Sequence, residues 1–273
     1  FPRFTEYYGS IKETGIGLAC EEAERIIFTD RKPFSMDIED IDEEEVIDTE
    51  YDNVLANYLF KVRDLLFKMI DNESISLHNK MIYMIEIGKH IQDLVNTEEI
   101  QNIINLLQQN NYEALQLDKQ NINTDENSSM YEVESILNAY SELEILNEQW
   151  QYYLNDMYDM LHSEDMSPAD YSVLVKEFTE YIKDRNYEYS NMLKYFVFRY
   201  FMKASYDHDV FGKLQLSVTN YFVIRDMDIV KWLKNNREFS FEDRIETVHI
   251  FSREVEYSED NLEVLAEEFI FDD

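Results

Sequence analysis

The sequence predicts a mainly α-helical domain, bundle-like in its packing, with an irregular segment at its N-terminal end. Three observations predict it. Apolar residues recur at three- and four-residue intervals from residue 51 onward, the period that puts them on one face of a helix. Only five glycines and three prolines punctuate 273 residues, and few stretches alternate apolar with polar as a half-buried strand does. Finally, 45% of the residues are hydrophobic, including 17 Phe and 20 Tyr, so the chain can bury enough surface to offset its conformational entropy.

Residues 1–19 read as irregular or extended. Gly9, Gly15 and Gly17 crowd there, which implies turns or close backbone approaches. Cys20 through Phe28 reads as a short helix with acids in its first turn, where free N–H groups favour them. Between Asp37 and Glu50, nine of 14 residues are Asp or Glu, a density that works against compact packing. Residues 1–50 are therefore expected to pack on the body as an irregular and short-helix segment, with residues 51–273 forming the helical domain.

Within that domain, Val54, Tyr58, Val62, Leu65, Leu66 and Met69 line one stripe near 51–71. Leu77, Met81, Met84, Ile85 and Leu94 mark a helix near 76–95, and Ile100, Ile103, Ile104 and Leu107 another near 98–109. Short links between them suggest antiparallel neighbours. Residues 119–129 are polar and poor in core formers, the best internal hinge or mobile loop. One long helix is expected over 130–161. Ser167 and Pro168 resemble an N-cap and first helical position, opening a helix near 168–183. An apolar helix over 187–206 follows, then helices near 211–235, 240–258 and 260–270.

The formal charge is −34, from 58 acids against 24 bases. Such a field repels nucleic-acid phosphates and anionic head groups and attracts basic partners. It serves solubility in any case, and nucleic-acid mimicry is a remote alternative. A single cysteine excludes an internal disulfide and any site built only from this chain's thiolates, and it suits the reducing cytoplasm. No apolar run is long enough to span a membrane.

Cys20 is open to three readings: a nucleophile, a metal ligand or core packing. A helix N-terminus would lower its pKa, while Glu21, Glu22 and Glu24 oppose the thiolate. Glu246, His249, Arg253, Glu256 and Asp260 fall at helical spacing on one face of the last long helix. That stripe is either a salt-bridged surface or a ligand groove. In the second case His249 exchanges a proton, Arg253 clamps a carboxylate, and Glu256 attracts a cationic amine. Arg199, beside Tyr200 in an otherwise apolar helix, must pair with an acid or border a cleft. No His-Glu-x-x-His pattern, phosphate loop or dinucleotide fingerprint is present.

Two segments carry a family resemblance. Pro2-Arg3-Phe4, followed by Gly17-Leu18-Ala19-Cys20-Glu21-Glu22-Ala23-Glu24-Arg25, is similar to a Tyr-Pro-Arg element and a later Leu-Ser-Cys-Pro-Glu-Ala-Ala-Arg element of the bacterial flagellin lysine-N-methylases. Ala19, Glu21 and Glu24 depart from that pattern. Ser252-Arg253-Glu254-Val255-Glu256-Tyr257, with Asn261 and Leu262, resembles the family's closing Ser-Arg-Glu-Ile-Glu-His helix, Tyr257 standing where histidine is common. The resemblance covers about 25 residues at opposite ends of the chain.

The resemblance implies methyl transfer from S-adenosylmethionine to lysine amines of flagellin, or of another basic, lysine-bearing protein. It implies substrate or cofactor roles for Arg25, Arg253, Glu254 and Asn261, alongside Arg199 and Tyr200, with His249 and Glu256 as catalytic candidates. It also implies a cysteine-rich element ahead of the Pro-Arg segment, holding a 4Fe-4S cluster to which Cys20 adds a ligand. That element is missing from this sequence, so the fragment is expected to hold no cluster and to be inactive alone. The competing reading is a non-enzymatic acidic helical domain that holds a basic partner. A concave pocket joining the Cys20 region to Arg253 and Glu256 separates the two.

Overall fold

The computed structural model describes residues 3–8, 11–29, 31, 39–40, 52–109 and 126–270. Where the sequence reads as irregular or extended, β1 (Arg3–Tyr8) and β2 (Ile11–Ile16) form an antiparallel hairpin, to which the two-residue β3 (Glu39–Asp40) adds along β2. Gly15 opposes Phe4 across the hairpin. A Cβ at Gly15 would stand 2.1 Å from the Phe4 ring and 2.7 Å from that of Phe198, so glycine is what lets Phe4 lie over the strand. After the hairpin comes α1 (Glu21–Thr29).

The body consists of α2 (Asn53–Asp71), α3 (Leu77–Asn96), α4 (Ile103–Gln109), α5 (Glu126–Ser141), α6 (Glu148–Leu161), α7 (Pro168–Tyr181), α8 (Asn186–Tyr200), α9 (Ala204–Asp207), α10 (Val210–Lys234), α11 (Phe241–Glu254) and α12 (Glu259–Ile270). Side-chain caps fix several starts. Asp52 accepts from the amides of Val54 and Leu55, and Ser76 from that of Asn79. Ser167 caps α7 with Pro168 in its first turn, and Ser240 forms a reciprocal capping box with Asp243.

Helix α10 is the axis of the molecule. It packs on α3, α5, α6, α8, α11 and α12, and is buried on nearly every side. It therefore takes polar residues into the core, where its two aspartates are met by partners. Asp226 accepts from Tyr171 at 3.0 Å and lies 3.2 Å from His162, with Arg225 alongside. Asp228 accepts from Tyr189 at 2.6 Å and Thr247 at 2.6 Å, and pairs with Arg244. Such pairings offset part of the cost of burying charge and fix helix register.

Three elements differ from the expected boundaries. The helix expected over 187–206 is divided by a 3-10 turn, Phe201–Lys203, between α8 and α9. The helix expected over 130–161 is broken into α5 and α6. Its connection, 142–147, is held by two acceptors from the chain's end: Asn261 accepts the amide of Glu144 and Glu254 that of Leu146, both at 2.9 Å. Those long-range bonds replace helical ones, which no local pattern announces. Helix α11 ends at Glu254 rather than near 258, and the Tyr257 amide turns back onto the Ser252 carbonyl five residues earlier. Of the expected hinge over 119–129, residues 119–125 lie outside the described residues and 126–129 open α5.

The hairpin is tied to the body through a buried, bidentate ion pair between Glu13 on β2 and Arg63 on α2. The Arg63 guanidinium also lies 5.2 Å from the Phe60 ring and 5.5 Å from that of Phe198. Helix α1 packs on α8 and α11. The segment between hairpin and α1 is thereby laid against the chain's C-terminal part.

Candidate functional site

Three stretches meet at a pocket of about 140 Å³. The 17–19 connection supplies Gly17, Leu18 and Ala19; α8 supplies Tyr195 and Arg199; the end of α11 supplies Ser252, Glu256 and Tyr257. Arg3 and Phe4 complete the wall from the hairpin. The Leu18 amide donates to the Tyr195 hydroxyl at 3.2 Å, across 177 residues of sequence. That bond and the burial of Leu18 fix the connection at the pocket wall.

Glu256 is the polar centre. Its Oε1 accepts from the hydroxyls of Tyr195 (3.0 Å) and Tyr200 (2.9 Å), and its Oε2 from that of Ser252 (2.6 Å). A carboxylate offers about four lone-pair directions, so one is left for a further donor. Burial pushes the Glu256 carboxyl above its ordinary range, against the three hydroxyl donors and the charge of Arg199. Burial likewise holds the two tyrosines far above the usual phenol range, so both remain donors. Arg199 lies 4.1 Å over the Phe4 ring and 3.4 Å from Glu6, which leaves its charge beside the pocket rather than across it.

A second buried carboxyl lies on α1. Glu24, on the inner face of α1, is fully buried. One oxygen meets His249 Nδ1 at 3.1 Å, and the other has no hydrogen-bond partner within the protein. Burial, with the charges of Glu21, Cys20 and Glu256, pushes Glu24 up to about 9. Burial pulls His249 below its ordinary value. Both directions agree with a neutral pair in which the carboxylic O–H donates to Nδ1.

The structure thus brings Arg199, Tyr200 and Glu256 together, while His249 meets Glu24 and does not line the pocket. Cys20 adjoins the pocket wall without lining it; its carbonyl accepts the amides of Ala23 and Glu24 and so starts α1. Four residues singled out from the sequence lie elsewhere. Arg25 makes a surface ion pair with Glu242, and Arg253 is exposed. Glu254 and Asn261 are buried against the 142–147 connection, where Glu254 Oε1 and the Asn261 amide bond its backbone. The stripe from Glu246 to Asp260 is not one face, because the helix ends within it; Glu246 pairs with Lys231 on the surface.

Glu24, Tyr195 and Ser252 were not singled out from the sequence as site residues. A signal for Glu24 is present: it stands at i, i+4 with Phe28 and next to Ala23, both core residues. Glu21, Glu22 and Arg25 around it make the same turn look solvated.

Fold and pocket define an acidic, mainly helical domain with a polar pocket built around a hydroxyl-bound carboxylate. The model of the FliB lysine N-methylase C-terminal domain matches residues 63–273, and the chain belongs to that family. No curated protein and no solved structure matches the chain. The match begins on α2, so the hairpin, the 17–19 connection and Glu24 lie outside it. Among the described residues no helix is long and apolar enough to cross a membrane.

Two further groups are implied by the sequence resemblance. Iron–sulfur clusters are held chiefly by sets of cysteine thiolates. Cys20 is the one cysteine of this sequence, and among the described residues no three His, Cys, Asp or Glu side chains are grouped to hold a metal. These residues do not fit a cluster, and Cys20 is described here as a free thiol. The pocket, at about 140 Å³, is also smaller than the roughly 300–1,000 Å³ typical of sites for larger organic ligands. A cavity of that size does not enclose the whole of S-adenosylmethionine.

Proposed function

We propose that this domain belongs to a protein-lysine N-methyltransferase acting on flagellin in the cytoplasm, and that its pocket receives the lysine ε-ammonium. The supporting observation is Glu256 itself. It is a carboxylate held by three hydroxyls, with one acceptor direction left, in a pocket of side-chain size. An ammonium entering there replaces lost hydration with a charge-assisted hydrogen bond. The pocket also joins the 17–19 connection, next to Cys20, to Glu256, a concavity that favours the enzyme reading over a flat acidic binding face, although Cys20 and Arg253 do not line it.

Lysine is protonated at neutral pH, and its nitrogen has no free pair until that proton leaves. A carboxylate alone holds the ammonium and raises its pKa. Glu256 has a pKa already raised by burial, which narrows the gap to the amine and suits it to accept the proton as well as to orient its donor. Tyr195, Tyr200 and Ser252 hold it in place, and Phe4 and Tyr257 form apolar walls for the methylene stem. S-adenosylmethionine is proposed as the methyl donor on family membership, with no residues of this chain assigned to it.

The test is transfer of labelled methyl groups from S-adenosylmethionine to purified flagellin by the full-length protein. Glu256→Gln keeps the size and removes the charge. It is expected to lower kcat/KM by at least a hundredfold. A variant with wild-type kcat/KM would overturn the assignment, and a wild-type protein with no transfer would overturn the activity.

A further inference from the structure

In a chain with 58 acids against 24 bases, a basic side chain without an acidic partner stands out. Most of the arginines pair with carboxylates, among them Arg63, Arg199, Arg237 and Arg244. Among the described residues, Arg3 and Arg253 make no ion pair. Both are exposed, and of the two Arg3 lines the pocket. The hairpin register puts it there. Arg3 faces Ile16 at the open end of the β1–β2 ladder, one residue before Gly17 begins the 17–19 wall. The carboxyls nearby are already engaged. Glu6, on the same strand, is shared by Arg199 at 3.4 Å and Lys203 at 3.7 Å. Glu256 is held by three hydroxyls, with its remaining direction turned to the amine. The pocket wall therefore carries a guanidinium without a counter-charge, on a molecule whose formal charge is −34.

We propose that Arg3 sets substrate specificity by receiving the carboxylate of an Asp or Glu next to the target lysine. This rests on the reading of the pocket as the lysine site. A lysine whose side chain fills a pocket of that size leaves its own backbone at the mouth, and the next Cα is only about 3.8 Å farther along the chain. A guanidinium there offers paired N–H donors in the geometry a carboxylate accepts. The field of the whole protein works against such a choice, because it favours whichever peptide carries more positive charge. A preference for an acidic neighbour therefore reports a local contact and not the general attraction of an acidic surface.

The test compares the binding of Nα-acetyl-lysine amide with that of two acetylated, amidated dipeptides, Asp-Lys and Lys-Asp. Binding is followed by the pocket's backbone amide resonances at low ionic strength, where exposed charges are least screened. Wild type is expected to bind at least one dipeptide about threefold tighter than the single lysine, within the range of an exposed ion pair. Arg3→Gln is expected to remove that gain without weakening the single lysine. Arg253→Gln makes the same change of charge away from the pocket and is expected to keep the gain. Equal or weaker binding of both dipeptides by wild type would overturn the role of Arg3 and leave the lysine site standing. So would a gain that survives Arg3→Gln, or one lost equally in Arg253→Gln. A wild type whose pocket amides respond to none of the three ligands would overturn the lysine site and this proposal together.

Discussion

Replacing Glu13 by Gln tests how the hairpin is held, and with it the pocket wall. The Glu13–Arg63 pair is bidentate and almost wholly buried, at 7% and 1% side-chain exposure. The variant keeps the shape and one acceptor but leaves the Arg63 charge uncompensated in the interior. Breaking such a pair from one side costs about 3–5 kcal/mol, against about 5–15 kcal/mol of total stability for a typical domain. The rings of Phe60 and Phe198 near Arg63 retain about 1 kcal/mol of that, so a loss of about 3 kcal/mol is expected. Urea unfolding measures it directly. If the hairpin opens as a unit, amide exchange over 11–18 accelerates about 150-fold, the rate equivalent of 3 kcal/mol. Replacing both partners, Arg63→Met with Glu13→Leu, is expected to recover most of the loss, because no charge is then stranded. A single variant within about 0.5 kcal/mol of wild type, or a double variant worse than the single, would refute the reasoning.

Glu24→Gln has a pH signature in stability. The native carboxyl titrates at about 9 against an ordinary 4.5, so wild-type stability is full below 4.5 and falls by about 1.4 kcal/mol per pH unit through that window. The variant lacks this slope, so it gains on wild type between pH 5 and pH 8 in urea unfolding; parallel profiles would contradict it. Glu254→Ala strands the Leu146 amide and opens the 142–147 connection, costing about 1–3 kcal/mol. Its exchange should rise there first, and a change spread evenly over the chain would count against a local clasp. Gly15→Ala drives a methyl into the Phe4 ring, at about 1–3 kcal/mol. Phe4→Leu should restore part of that, and additive losses would argue that the two do not meet.

The helical body was legible because its cause is local. Stripes such as Val62, Leu65, Leu66 and Met69 state a buried face by spacing alone, and Ser167-Pro168 states a helix start by its hydrogen-bonding chemistry. The breaks were not legible. Nothing near Leu143 says that the chain stops being helical there, because the acceptors that hold the connection, Glu254 and Asn261, lie more than 100 residues away. In sequence the same two residues read equally well as ligand-binding candidates, since a buried acid or amide that clasps a loop has the same one-letter signature as one that meets a ligand.

The pocket was legible in half of its parts. Glu256, Arg199 and Tyr200 stood out by charge or by contrast with an apolar helix. Tyr195 did not, because a tyrosine at core spacing gives no sign of where its hydroxyl points. Glu24 was masked by three acidic neighbours, and only its place on the inner face of α1 sets it apart. The hairpin was missed as a hairpin because Thr5, Glu6, Lys12 and Glu13 interrupt its apolar alternation; Glu13 faces inward, against the usual preference, to meet Arg63.

The most direct measurement is an amide-resolved NMR titration of the protein with Nα-acetyl-lysine amide, a free lysine side chain without a peptide around it. The amides of Gly17, Leu18 and Ala19 should shift together with those of Ser252, Glu256 and Tyr257, all saturating with a single Kd, and Glu256→Gln should abolish both sets. Shifts confined to one set, to exposed acids elsewhere, or unchanged in the variant would show that no common cavity takes the amine.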